Sequence, residues 1–173
     1  MPVRATIETD FPAIAALTNV FIRASAIHFG YAEVSESELV EMWQSTRATY
    51  PWLTAEVDGT FAGYAKAGVW RSREAYQWTA ESGIYVAEAC RARGVGRMLY
   101  GELIEELRRR GFHSVIGGVT LPNAASVRLH ESLGFEFVGK VRDAGHKLGV
   151  WHDVGFWQLM LRGAEHEPFF ARP

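Results

Sequence analysis

One cysteine, Cys90, stands among 173 residues, so no internal disulfide can staple the chain. That usage fits a reducing compartment. No apolar run approaches the roughly 20 residues that a membrane span requires. The opening MPVRATIETDF lacks the charged-then-apolar pattern of a secretory signal. These absences lead to the expectation of a cytoplasmic protein without a membrane partner. Basic residues never run longer than Arg108-Arg109-Arg110, and the net charge is -2 with a pI near 6.3, so nucleic acid is not the expected partner. Six histidines are scattered without His-x-x-x-His or Cys/His pairing, and no metal site is expected. The adjacent His152 and Asp153 face opposite sides of a strand, which argues against a catalytic triad.

What remains is an ordinary globular balance, 48% hydrophobic and 22% charged, in a length that suits one domain. Val3 to Glu8 alternates as a first strand. Asp10 and Pro12 open a helix with Ile14, Leu17, Phe21 and Ile22 at helical spacing. Ser35 or Ser37 caps a second helix carrying Leu39, Val40 and Trp43. Trp52–Val57 and Phe61–Val69 flank Asp58-Gly59, a strong hairpin signal. Tyr76 to Val86 reads as a third long strand. Val95, Leu99, Leu103 and Leu107 form a four-residue ladder, and Gly111 ends that amphipathic helix. A buried-type strand over 113–120, a helix over 124–133 and strands over 135–147 and 151–161 complete the chain. The order β-α-α-β-β-β-α-β-α-β-β predicts a single α+β domain over 1–173, a mixed central sheet with helices on both faces. The tail from about Gly163 is expected to be loosely ordered.

The segment Arg91-Ala92-Arg93-Gly94-Val95-Gly96-Arg97 joins a strand to the ladder helix. Glycines let backbone approach a ligand, and a helix start exposes free N–H groups and partial positive charge. Together these make a phosphate cradle. The dinucleotide fingerprint does not fit, because position 99 is Leu, and no Gly-Lys-Ser/Thr follows. One helix face supplies a second grouping: Asn123, Ser126 and His130 lie at i, i+3 and i+7, so one ligand could touch all three. Glu81 is a lone carboxylate in an apolar strand segment, sharing a face with Gly83 and Tyr85. Burial there raises its pKa and makes it a better base.

Strand, then Arg-x-x-Gly-x-Gly, then amphipathic helix resembles the acetyl-CoA pyrophosphate site of the GNAT acetyltransferase superfamily. Asn123-Ala-Ala-Ser126-Val-Arg-Leu-His130-Glu-Ser-Leu-Gly134-Phe135 matches a second signal of that superfamily. The resemblance implies a GNAT-like fold and acetyl-CoA as co-substrate. It places the pyrophosphate on backbone N–H groups from Arg93 through Gly94, Val95, Gly96 and Arg97 to Met98, with Arg91 adding charge. It implies that the strand before the turn bulges and splays from its neighbour. Backbone around Tyr85, Val86 and Ala87 would then meet the pantetheine arm, which Asn123, with Ser126 on the same face, reaches from the next helix.

Four stretches narrow the resemblance: Tyr50-Pro-Trp-Leu53 through Glu56-Val-Asp-Gly59; Ala75-Tyr76-x-Trp78-Thr-Ala-Glu81-Ser82; Leu121 through His130-Glu131; and Trp151 through Gln158. They are similar to the phosphinothricin N-acetyltransferases, the bialaphos-resistance enzymes, over about residues 7–158. This likeness implies Glu81 and His130 as the catalytic pair, where most GNAT sequences carry tyrosine at the His130 position. It implies Phe29 in the substrate pocket and a homodimer. Phosphinothricin carries two anions, and Arg71, Arg73 and Tyr76 are candidates to bind it. The chain departs from the family at His28-Phe29-Gly30, usually Asn-Phe-Arg, and at Arg71, usually lysine. The expectation is acetyl-CoA-dependent N-acetylation of a small amine, an amino-acid analogue of phosphinothricin or methionine sulfoximine type. A peptide or protein N-acetyltransferase and a non-catalytic acetyl-CoA-binding module are the alternatives.

Overall fold

A computed structural model of the chain describes residues 2–163. Its centre is a seven-stranded sheet: β1 (Val3–Ala5), β2 (Trp52–Val57), β3 (Thr60–Val69), β4 (Thr79–Val86), β5 (Ser114–Leu121), β6 (Glu136–Lys147) and β7 (Val150–Met160). The spatial order is β1-β2-β3-β4-β5-β7-β6, with β4 and β5 the parallel pair in an otherwise antiparallel sheet. Helices α1 (Phe11–Ala24) and α2 (Glu36–Thr46) cover one face, and α3 (Val95–Arg109) and α4 (Ala124–Ser132) the other. The α+β expectation and the element order both hold. The expected tail lies almost wholly outside the described residues.

Local chemistry accounts for the main boundaries. Asp58 and Gly59 both take positive φ, 52° and 76°, the requirement of a two-residue hairpin turn whose twist matches the strands. Ser35 caps α2, accepting from the Glu38 N–H at 3.2 Å while the Glu38 carboxylate accepts from the Ser35 N–H at 2.7 Å. The α3 ladder buries Val95, Leu99, Leu103 and Leu107 at 1% exposure or less against β2, β3 and β4. Burying one such side chain contributes roughly 1.5–3 kcal/mol. On the opposite face Phe11 and Ile14 of α1 pack with Trp43, Trp52 and Tyr64.

Three boundaries differ from the sequence reading. The first strand stops at Ala5, because residues 8–10 wind into a 3-10 turn. Asp10 occupies the N-cap position of α1, but its carboxylate accepts from the Arg4 guanidinium at 2.7 and 2.8 Å and from the Ile7 N–H. The third long strand begins at Thr79, since Glu74–Tyr76 forms another 3-10 turn. The last strands are offset by one residue from their expected bounds, apart from Lys147, which ends β6 as expected.

Candidate active site

The parallel pair is where the sheet opens. β4 and β5 are in register from Thr79↔Ser114 to Ser82↔Gly117, and pairing ends there although both strands continue for four residues. The expected splay is present. The expected bulge is not: β4 keeps unbroken register with β3 out to Val86, and the irregularity falls in the β2–β3 ladder instead, where Ala62 of β3 is the extra residue opposite Ala55/Glu56. Antiparallel alternation sends the backbone groups of odd-numbered β4 residues toward β3, continued by Ala87 N–H to Ala62 C=O at 2.9 Å. The backbone of Ile84 and Val86 therefore faces the opening. Of Tyr85, Val86 and Ala87, only Val86 has that orientation.

A cleft of about 740 Å³ occupies this opening. Gly83 to Tyr85 and Gly118 to Thr120 form its two flanks, α4 contributes Asn123, Ser126 and His130, and Ile27 to Phe29 cover it. The three α4 residues do share one face, as their spacing required. The Asn123 side chain caps α4, accepting from the Ser126 N–H at 3.1 Å. The turn at the end of β4 is built for an open helix start. Ala92 and Gly94 take positive φ, 58° and 80°, and Gly94 is the α3 N-cap. Of the two glycines only Gly94 needs its conformational freedom; a Cβ at Gly96 would meet Leu129 and Val86 at ordinary contact distance. The turn lies beyond the cleft lining, with α3 entering beside Val86 and Leu129. The Arg93 guanidinium is 3.8 Å from Asp58, Arg97 donates to Ser132 C=O, and Arg91 lies 5.6 Å from the Phe21 ring centre.

Glu81 and His130 approach the opening from opposite faces. A Cβ on Gly118 would stand 3.8 Å from Glu81 Oε1, whereas one on Gly117 would stand 2.2 Å from His130 Nε2. Successive residues of a strand point to opposite sides, so the two groups flank β5 and both line the cleft. Glu81 keeps solvent access, so it is not buried as its apolar strand segment suggested, but partial desolvation within the cleft pushes its carboxyl above the usual range, and the positive charge of Lys66 draws it part of the way back. No arginine pairs with Glu81 among the described residues. Tyr85, on the same face, is pushed up to about 12 by burial and by the Glu81 charge.

His130 is 4% exposed, ringed by Tyr100, Phe135 and Trp157. Its Nδ1 lies 2.8 Å from Ser126 C=O, so Nδ1 carries the proton and Nε2 accepts from the Tyr100 hydroxyl at 3.0 Å. Tyr100 continues to Ser82 Oγ at 2.6 Å. Burial lowers the His130 pKa, partly opposed by the bond to Ser126, and keeps the ring neutral near pH 7.

The acceptor side departs from the sequence reading. Phe29 lines the cleft, seated on Gly145, where a Cβ would approach within 2.4 Å of its ring. The Lys147 ammonium donates to His28 C=O and the Tyr31 hydroxyl donates to His146 C=O, tying the covering loop to β6. Arg71, Arg73 and Tyr76 are exposed on the β3–β4 link and do not line the cleft. The 3-10 turn over 74–76 carries that link outward; Arg71 lies over Trp70, whose ring meets cleft residue Phe156 edge-on. The cation inside is Lys66, which sequence reasoning missed. It sits 4.8 Å from the Trp52 ring centre and 3.7 Å from Met42 Sδ. Burial lowers its pKa, opposed by Glu81. Its only sequence signal is a lysine amid Tyr64, Ala65, Ala67 and Gly68.

Residues 16–135 match the Acetyltransferase (GNAT) family. A phosphinothricin N-acetyltransferase of Streptomyces viridochromogenes is 42% identical, the match covering 90% of this chain and 85% of that protein. An L-methionine sulfoximine/L-methionine sulfone acetyltransferase of Salmonella typhimurium is 35% identical over 93% of this chain and 95% of its own length. A crystal structure of a phosphinothricin acetyltransferase from Sinorhizobium meliloti with acetyl-CoA superposes with a TM-score of 0.94 at 27% identity, covering 99% of this chain and 98% of that one. With its parted parallel strands and glycine-capped helix start, this chain belongs to the GNAT acetyltransferase family.

Proposed function

We propose that the chain transfers the acetyl group of acetyl-CoA directly to the α-amine of a small amino-acid analogue. The observation that carries this reading is the cleft through the β4–β5 opening, with the Glu81 carboxylate lining it on one face and a buried, neutral histidine on the other. The donor's pyrophosphate rests on the first N–H groups of α3, from Arg93 to Met98, and its pantetheine arm runs along Val86 toward Asn123 and Ser126. No covalent enzyme intermediate forms. Glu81 takes one proton from the ammonium, the nitrogen attacks the thioester carbonyl, and the C–S bond breaks from the tetrahedral intermediate. The second amine proton reaches the thiolate through His130, so charge and atoms balance. Likeness to enzymes named for phosphinothricin and methionine sulfoximine supports an acceptor of that type. Arg71, Arg73 and Tyr76 guide its acid groups at the mouth, and Phe29 packs on its carbon chain. No metal takes part.

Incubation with acetyl-CoA and two panels, free amino-acid analogues and short peptides, tests the acceptor. Thiol release on the free compounds alone is expected. Release on peptides alone would replace this reading with a peptide N-acetyltransferase.

The same reading includes a cytoplasmic setting and a homodimer. Edge strand β6 and its hairpin expose Phe137, Val138, Val141, Val150 and Trp151, the last at 64%. An exposed apolar edge of this kind is ordinarily covered by a partner. Light scattering is expected to give twice the chain mass, and Trp151→Glu to shift it toward the monomer.

A further inference from the structure

Lys66 has a position and surroundings that the transfer chemistry above does not use. In the β3–β4 ladder Glu81 faces Gly68 and Lys66 faces Gly83, so the two side chains are diagonal neighbours on one face. Such pairs stand roughly 7–8 Å apart at Cα, close enough to share a ligand. Among the described residues no carboxylate lies within salt-bridge distance of the ammonium, whose recorded contacts are the Trp52 ring and the Met42 sulfur. The indole N–H of Trp52, in the same wall, is buried and has no acceptor among them either. This wall therefore offers a cation and an unused donor. Lys66 is half-buried, and a charge drawn partly out of water is favoured when something pairs with it.

The rest of the cleft assigns the two ends of an acceptor. Along β3 the lining runs from Lys66 to Val69 and stops, and Arg71, two residues further along the chain, is exposed outside it. Glu81, opposite Gly68, falls between them. An amine held at Glu81 thus has Lys66 on its inner side. The reading above leaves the α-carboxylate to the arginines beyond the lining. The inner side, walled by Met42, Trp52 and His28, has the room for a side chain, and among the described residues that line the cleft Lys66 is the one lysine or arginine. We propose that Lys66 binds a second acid group on the acceptor's side chain, so that the enzyme selects amino acids with an anionic side chain over neutral ones of similar size. This rests on the amino-acid reading above.

Phosphinothricin, with an anionic phosphinate, and methionine sulfone, with a neutral sulfone, form the test pair. Their kcat/KM values are measured on the wild type, Lys66→Met and Lys66→Arg, with thermal denaturation run alongside. The wild type is expected to favour phosphinothricin. Lys66→Met is expected to lower the ratio of the two kcat/KM values about tenfold or more, mainly through the KM for phosphinothricin, and Lys66→Arg to restore most of it. A wild-type preference for methionine sulfone overturns the proposal, as does an unchanged ratio in a folded Lys66→Met. Equal losses on both compounds overturn it too, by making Lys66 a ligand of the shared α-carboxylate. A wild type that acetylates neither compound removes the amino-acid reading itself, and the role of Lys66 with it.

Discussion

Gly117 and Gly118 are neighbours of the same type on one strand, yet a methyl group added to each should have opposite consequences. At Gly117 the new carbon would sit 2.2 Å from His130 Nε2, 2.6 Å from its Cδ2 and 3.1 Å from the Tyr100 hydroxyl. Ordinary contact begins near 3.4 Å, so the imidazole must retreat by about 1.2 Å. It has nowhere to go, because Phe135 stands 5.1 Å away centre to centre on a ring already 4% exposed. Overpacking of this kind costs about 1–3 kcal/mol. Loss or stretching of the bonds to Ser126 and Tyr100 adds roughly 0.5–1.5 kcal/mol each. A total near 2–6 kcal/mol lowers the Tm by roughly 4–24 °C for a domain of this size. At Gly118 the methyl meets Phe156 at 3.5 Å and Glu81 at 3.8 Å, which are ordinary contacts, so stability should move by about 0.5 kcal/mol or less. Thermal denaturation and thiol-release kinetics on both variants make the comparison. Gly117→Ala is expected to lose stability and kcat together. Equal Tm values for the two variants, or a Gly117→Ala enzyme with wild-type kcat, would refute the placement of His130 against β5.

Other consequences follow from the same geometry. Glu81→Gln removes the base and should lower kcat by about 10²–10⁴ at neutral pH, measured under saturating substrates; a loss below about threefold would contradict the role. Because Glu81 must be ionised to accept the proton and burial raises its pKa, activity is lost as pH falls through that raised value. Since Lys66 holds the carboxyl down, Lys66→Met should move this acid limb to higher pH; a limb displaced downward would reverse the assigned electrostatics. Gly94→Ala forces a methyl-bearing residue to φ near 80° at a cost of about 1–2 kcal/mol, and its main effect should be a raised KM for acetyl-CoA. An unchanged KM would remove the helix start from the donor site.

Local signals were legible in the sequence because their causes are local. The Asp58-Gly59 turn, a serine cap on α2 (Ser35 of the two candidates), the α3 ladder and the glycine-bearing helix start each depend on a few consecutive residues, and each is present. Asn123, Ser126 and His130 were found by helical spacing alone. What the sequence hid depends on register and on long-range contact. The depth of Lys66 in the cleft follows from β3 pairing with β4, and a lysine in an alternating strand gives no hint of it. The ring nest that buries His130 joins α3, α4 and β7. The clamp from Lys147 to the His28 carbonyl spans 119 positions. Arg71 and Arg73 lie near Glu81 in sequence, but both are exposed on the link that holds the 3-10 turn and stand outside the cleft lining. The splay was foreseen by resemblance, whereas the bulge was not realised, because β3 and β4 keep one register throughout.

Mass analysis of the acceptor and the protein after incubation with acetyl-CoA and phosphinothricin tests the central claim of direct transfer. The account predicts N-acetylated acceptor and free CoA in equal amounts, with the protein unmodified. Acetyl groups accumulating on the protein, or CoA bound without any acetylated amine, would contradict it.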